Sequence, residues 1–258
     1  MTQSPQDPTD EPDDESSRKK RRERKPRSFW RELPILILVA LVLSFLLQTF
    51  VARVYLIPSE SMEPTLHGCT GCTGDRIVVE KIGYRFGDPK PGDIVVFRGP
   101  DSWNDEFVSQ RSDNAVIRGA QEVGSLIGVV APDENDLVKR VIATGGQTVE
   151  CCDDQGRVLV DGQPLDEPYI QMDFPFTPGT MTCDTELKSG RCFDPVTVPE
   201  GNIWVMGDNR SNSRDSRYHV TDEFTGTVPL DNVIGKAVFI ALPPSRTGIL
   251  DSPDIQGR

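Results

Sequence analysis

Two serines stand one residue apart in the segment Ile57-Pro-Ser-Glu-Ser-Met-Glu-Pro-Thr-Leu66. Pro58 and Pro64 fix φ on either side and stiffen it. A rigid, exposed hydroxyl at Ser59 or Ser61 can attack a carbonyl if some base takes its proton. The chain has two histidines, His67 and His219. His67 lies in a Gly/Cys-rich turn and His219 follows an arginine-rich stretch. Both read as surface or structural residues, not as the middle member of a Ser-His-Asp triad. The base must come from elsewhere.

Asp136-Leu-Val-Lys-Arg-Val-Ile142 offers one. At strand period two, Leu137, Lys139 and Val141 share one face, and Val138, Arg140 and Ile142 share the other. Whichever face is inner, one cation points at apolar neighbours. A lysine that snorkels to the surface is the plain reading. A desolvated lysine is the sharper one, because burial disfavours the ammonium form and lowers the pKa. A neutral amine has a lone pair and can accept a serine proton. A third segment, Gly207-Asp-Asn-Arg-Ser-Asn-Ser-Arg-Asp-Ser-Arg-Tyr-His219, interleaves acids and arginines with short hydrogen-bonding side chains. Directly after the apolar run Ile203–Met206, that composition fits a buried ion-pair network at a strand end better than a loose turn.

The elements that must hold these groups are short and β-rich. Arg76–Glu80, Asp93–Phe97, Leu137–Ile142, Arg157–Val160, Asn202–Met206 and Val233–Ile240 are runs of Val, Ile and Phe between Gly-Asp, Pro-Gly, Asp-Gly and Pro-Glu-Gly turns. The expected fold is a mostly β domain over residues 54–242. Residues 98–136 read as an insertion, with a polar stretch at Asp101–Asn114 and a short helix or surface hairpin at Ala115–Ala131. Residues 243–258 read as a polar C-terminal tail. With 22 Gly and 21 Pro in 258 residues, the chain is rich in turns. A net charge of −12 argues against a nucleic-acid partner, which would need clustered cations.

Between Glu32 and Arg53 the chain carries 20 uncharged residues. As a helix they reach roughly 30 Å, the thickness of a bilayer core. The apolar run is longer than that of a cleaved signal peptide, and bulky Tyr55, Leu56 and Ile57 follow it. Residues 33–53 therefore read as a single uncleaved transmembrane anchor in a cell membrane. The basic block Arg18–Arg31 directly precedes it, which predicts a cytoplasmic N-terminus and an extracytoplasmic domain. Residues 1–32 read as a charged cytoplasmic tail, disordered over 1–28.

All six cysteines follow the span, on the oxidising side that this topology implies, so disulfides are expected. Cys183–Cys192 is the best single pair. Adjacent Cys151 and Cys152 are not expected to bond each other and can reach Cys69 and Cys72. Zinc is the rival reading for the Cys69–Cys72 spacing.

Jointly and in order, these segments resemble bacterial type I signal peptidases, the serine proteases that cut signal peptides from exported proteins. Pro58–Leu66 resembles the nucleophile box, Gly92-Asp-Ile-Val-Val-Phe97 the next strand box, Lys139-Arg-Val-Ile142 the lysine box and Gly207–Arg217 the last box. Gly235-Lys-Ala237 also fits the family's end. The resemblance implies a coiled antiparallel β-sheet peptidase domain behind a transmembrane helix. It implies Ser61 as nucleophile, Lys139 as general base, and Ser59 as an oxyanion-hole donor beside the Ser61 backbone N–H. It implies that Ser213 orients the lysine amine and that Asp208, Arg210, Asp215 and Arg217 form a supporting network. Ile57, Met62, Leu66 and Val138 are expected walls of the substrate pocket, from their placement beside the catalytic pair. Preproteins and the bilayer are the expected partners, and no metal or cofactor is called for. The family's usual Gly-x-Pro-Gly-Asp after the lysine strand is replaced by Ala143-Thr-Gly-Gly-Gln147.

Three other readings compete. They are a Ser-Lys protease of the SOS-repressor type, a catalytically idle anchored binding domain, and a cysteine oxidoreductase built on Cys69-Thr-Gly-Cys72.

Overall fold

A computed structural model describes residues 29–69, 71–103, 112, 114–126 and 135–257. The charged tail expected to be disordered, most of the polar stretch within 101–114 and the end of 115–131 lie outside these residues. Two units separate by contact, residues 1–39 and 40–258. Helix α1 (Phe29–Phe50) begins in the first unit and ends in the second. Glu32–Phe50 is long and apolar enough to cross a membrane, and Ile35 through Phe50 presents exposed Leu, Ile, Val and Phe side chains.

The described regular structure of the second unit is mostly antiparallel strands. In chain order they are β1 (Ala52–Leu56), β2 (Arg76–Glu80), β3 (Ile94–Arg98), β4 (Asp136–Thr144), β5 (Thr148–Cys151), β6 (Val158–Val160), β7 (Gln163–Pro164), β8 (Phe193–Thr197), β9 (Asn202–Met206), β10 (Val228–Pro229), β11 (Val233–Leu242) and β12 (Gly248–Ile249). The larger sheet runs β1-β2-β11-β3-β4-β9-β10, with β12 on β11; the smaller runs β7-β6-β5-β8. Every pairing between these strands is antiparallel. Register shifts in β11 and β4 insert extra residues that bend the large sheet. The mostly β reading holds.

The continuous apolar run in β3 has a packing reason. Ile94 and Val96 face one core with Tyr55, Ile57, Met62, Leu66, Ile77 and Val79. Val95 and Phe97 face another with Trp103, Val141, Ile203, Val205 and Val228. A strand covered on both faces needs apolar residues at every position. A third core joins Ile142, Trp204 and Met206 to the small sheet through Val149, Val158 and Val160.

Arg98 and Asp136 are register partners, so the chain leaves the sheet after β3 and re-enters directly opposite in β4. Within that connection lies α2 (Ala115–Leu126). Asn114 caps it, its Oδ1 accepting from the amide of Val116 at 3.0 Å.

Two expectations need correction. Residues 243–257 are packed, not a tail: β12 pairs with β11, and Leu250 and Ile255 are buried in two of the cores. The cysteines pair as Cys69–Cys72, Cys151–Cys152 and Cys183–Cys192. Cys183–Cys192 is the pair the spacing favoured. Cys151 and Cys152 pair with each other because Cys151 belongs to β5 in the small sheet, whereas Cys69 and Cys72 follow the serine segment.

Candidate active site

The serine segment folds as its apolar residues dictate. Met62 and Leu66 are buried in the core beneath it, and the Leu66 amide donates to Met62 O at 2.9 Å. That anchor leaves a 3-10 turn, Glu60–Met62, with extended Ser59 as its cap. Ser59 and Ser61 are therefore turned outward, their hydroxyl oxygens 3.3 Å apart.

Lys139 comes from the middle of β4, paired to Val95 of β3. Its amine lies 2.7 Å from Ser61 Oγ and donates to Val138 O at 3.0 Å. The residue is 4% exposed. Burial pushes its pKa down from the ordinary 10.5 to about 8, with Asp215 and Asp208 pulling the other way and Arg217 helping to lower it. Arg140 is buried on the opposite face of β4, so both cations of the strand are enclosed. Arg140 is neutralised by Asp208, through Nε at 2.8 Å and Nη2 at 2.6 Å. The Tyr169 ring lies 3.9 Å from the guanidinium carbon.

β9 delivers the last segment. A Cβ on Gly207 would come within 2.4 Å of Ser61 O, so only glycine allows this approach. The next amide but one, on Asn209, donates to that same carbonyl at 3.1 Å. Asp215 accepts from the Gly207 amide and from two nitrogens of Arg217. Burial would raise its pKa, but Arg217 and the Gly207 amide outweigh burial and hold it below the ordinary carboxylate range. Arg210 is buried against Glu167. The four predicted network residues are thus present, but Asp208 and Arg210 find partners in Arg140 and Glu167, which the sequence reading left out. Arg140 carried a signal, as the second cation of an apolar strand. Glu167 carried none.

Ser213 does not do what was expected of it. It is buried, and its hydroxyl makes no hydrogen bond to Lys139 or to any other described residue. The amine instead donates a hydrogen bond to Val138 O. None of the expected pocket walls is among the residues that line the open cleft beside Ser61. A cleft of about 460 Å³ is lined by Pro58, Ser59, Glu60, Ser61, Cys69, Leu137, Lys139, Asn212 and Arg214. Ile57, Met62 and Leu66 sit in the core below it, because they are the anchors of the turn. Val138 points to that same core while its strand neighbours Leu137 and Lys139 face the cleft. Ligand atoms of His67, Cys69 and Cys72 lie within 4.8 Å of one another, as the zinc reading would require. The two sulfurs are bonded to each other and His67 Nδ1 is paired with Glu63.

Comparison with known proteins now adds to the geometry. The family model "Signal peptidase, peptidase S26" matches residues 30–242. The chain belongs to this signal peptidase family. Signal peptidase I of Mycobacterium tuberculosis is 55% identical over 237 residues, 89% of this chain and 78% of that protein. A probable signal peptidase I of Mycobacterium leprae is 53% identical over 246 residues, 90% and 83% of the two chains. Among solved structures, a signal peptidase I of Enterococcus faecalis V583 matches at 25% identity and a TM-score of 0.31, over 58% of this chain and 97% of that one. As a signal peptidase, the chain is a hydrolase of peptide bonds with an apolar helix suited to anchor it. The match begins inside that helix and runs through the serine turn, the lysine strand and the segment after β9.

Proposed function

We propose that this chain removes signal peptides from exported preproteins with Ser61 as nucleophile and neutral Lys139 as general base. The observation that carries the reading is the 2.7 Å approach of a buried lysine amine to a serine hydroxyl. Above its lowered pKa, the amine takes the Ser61 proton as Oγ attacks the scissile carbonyl. The oxyanion forms beside the Ser61 backbone N–H and the Ser59 hydroxyl. Lys139, now charged, gives the proton to the leaving amine as the peptide bond breaks. Water then attacks the acyl-enzyme, Lys139 again serving as base, and Ser61 is regenerated.

Ser59 and Leu137 are among the walls of the cleft that holds the Ser61 hydroxyl. A short apolar wall beside a small polar one favours small side chains such as alanine ahead of the cut. α1 serves as a single-pass anchor, with the N-terminus in the cytoplasm and residues 54–258 outside, where exported chains emerge. The basic stretch before the span supports this direction. Single engineered cysteines at 10 and 218, labelled from outside intact cells, test it: residue 218 reacts and residue 10 does not. Incubating the purified protein with a preprotein and weighing the products tests the activity. One cut at the signal-peptide junction, absent in Ser61→Ala, is the expected result.

A further inference from the structure

Beyond β11 the chain turns back over the serine segment and places Arg246 against Asp75. Asp75 is fully buried and Arg246 about one-third exposed. Arg246 Nε donates to both carboxylate oxygens, at 2.9 and 3.1 Å. Its Nη2 donates to the carbonyls of Pro64 at 3.3 Å and Thr65 at 3.2 Å. One guanidinium thus holds an acid on one side and the turn after Ser61 on the other, a use of its planar fork that a lysine cannot copy.

Asp75 in turn closes the base of the same segment. Its carbonyl accepts from the Ile57 amide at 2.9 Å, and its amide donates to His67 O at 2.7 Å. Its carboxylate accepts from the His67 amide at 2.8 Å. A Cβ on Gly74 would lie 2.1 Å from Ile57 O, so the closure needs glycine there. Ile57 to His67 is a loop pinned at both ends by Asp75 and across its second half by Arg246.

The opposite flank of the loop is tied to the lysine strand. Thr65 Oγ1 donates to Asp208 Oδ2 at 2.5 Å, and Asp208 holds Arg140, the neighbour of Lys139. Thr65 is therefore shared, its carbonyl bound by Arg246 and its hydroxyl by Asp208. The Ser61–Lys139 approach crosses that junction between the loop and β4.

We infer that Arg246 is a positioning residue for the hydrolytic reaction: by clamping Asp75 and the carbonyls of Pro64 and Thr65, it holds the Ser61 hydroxyl on the Lys139 amine. The inference rests on the proposed roles of Ser61 and Lys139. Residue 246 lies past the end of the family match at 242, so nothing in that match assigns it. A clip that served only the fold would alter melting but not the chemistry of each folded molecule.

The test uses the full chain in detergent with a preprotein substrate, comparing wild type, Arg246→Ala, Arg246→Lys and Ser61→Ala. Arg246→Ala is expected to stay folded at the assay temperature, as read by circular dichroism. Its kcat is expected to fall about tenfold or more, with KM within about threefold, because small misplacements of a reacting atom are costly. Arg246→Lys keeps the ion pair but not the fork, and falls between. Millimolar guanidinium restores part of the Arg246→Ala rate and none of the Ser61→Ala rate. Wild-type kcat in Arg246→Ala, with Ser61→Ala inactive, overturns the clamp alone. Loss of rate that only tracks loss of folded protein, without guanidinium rescue, overturns it too. An active Ser61→Ala removes the nucleophile assignment and the clamp with it.

Discussion

Arg140 and Asp208 meet through two parallel hydrogen bonds, Nε to Oδ1 at 2.8 Å and Nη2 to Oδ2 at 2.6 Å, with both side chains essentially sealed from solvent. One residue earlier, Lys139 is equally buried but has no ion pair among the described residues. Adjacent cations on one strand thus take different fates. The paired one is structural, and the other is left able to lose its proton.

Asp208→Ala leaves the Arg140 guanidinium buried without its carboxylate. Breaking such a pair costs about 3–5 kcal/mol. Asp208→Asn should cost less, since its amide oxygen still accepts from Thr65. Denaturant melts of the two variants check the order.

The pH profile follows from Lys139. Below about pH 8 the amine is charged and cannot act as a base. The sign is therefore a rate that rises with pH and levels off above about 8, falling about tenfold per unit on the acid side. Asp215→Asn removes the carboxylate that most favours the charged amine, so the acid limb should move to lower pH. Arg217 lowers the Lys139 pKa, so displacement of its guanidinium would act in the opposite direction and offset part of the shift. kcat/KM measured across pH for both proteins reads the shift, and a rate unchanged down to pH 4 contradicts a lysine base.

Ser59 adds its hydroxyl beside Ser61 from an extended residue that packs on no core. Ser59→Ala should lower kcat by the loss of one oxyanion donor, about 3–4 kcal/mol in the barrier, with substrate binding retained. Single-turnover acylation separates the two effects.

The Cys183–Cys192 bridge closes a short loop outside the cleft. Replacing both with serine should cost about 2–3 kcal/mol of stability, through the freedom returned to the unfolded chain. kcat/KM should not change. Thermal melts and preprotein cleavage measure each part.

Much of this arrangement is legible in the sequence where a local rule applies. The unbroken Ile94–Phe97 run announces a strand covered on both faces, and Lys139 in an apolar strand announces a buried cation. The serine turn defeats such reasoning because it has no period. Met62 and Leu66 stand beside the nucleophile in sequence yet point away from the cleft, and only the packed core reveals it. Isolated apolar residues such as Leu250 and Ile255 look like parts of a tail until the packed cores that receive them are seen. Which residues pair across long separations, Arg140 with Asp208 and Arg210 with Glu167, cannot be read from either neighbourhood.

The most direct measurement compares wild type with Lys139→Met, an uncharged side chain of similar length, on one signal-peptide-bearing preprotein with the cut mapped by mass. The expected result is a folded variant whose cleavage rate is lower by about 10²–10⁴-fold, the worth of a general base. A Lys139→Met protein that cleaves at the same junction with near-normal turnover contradicts the account.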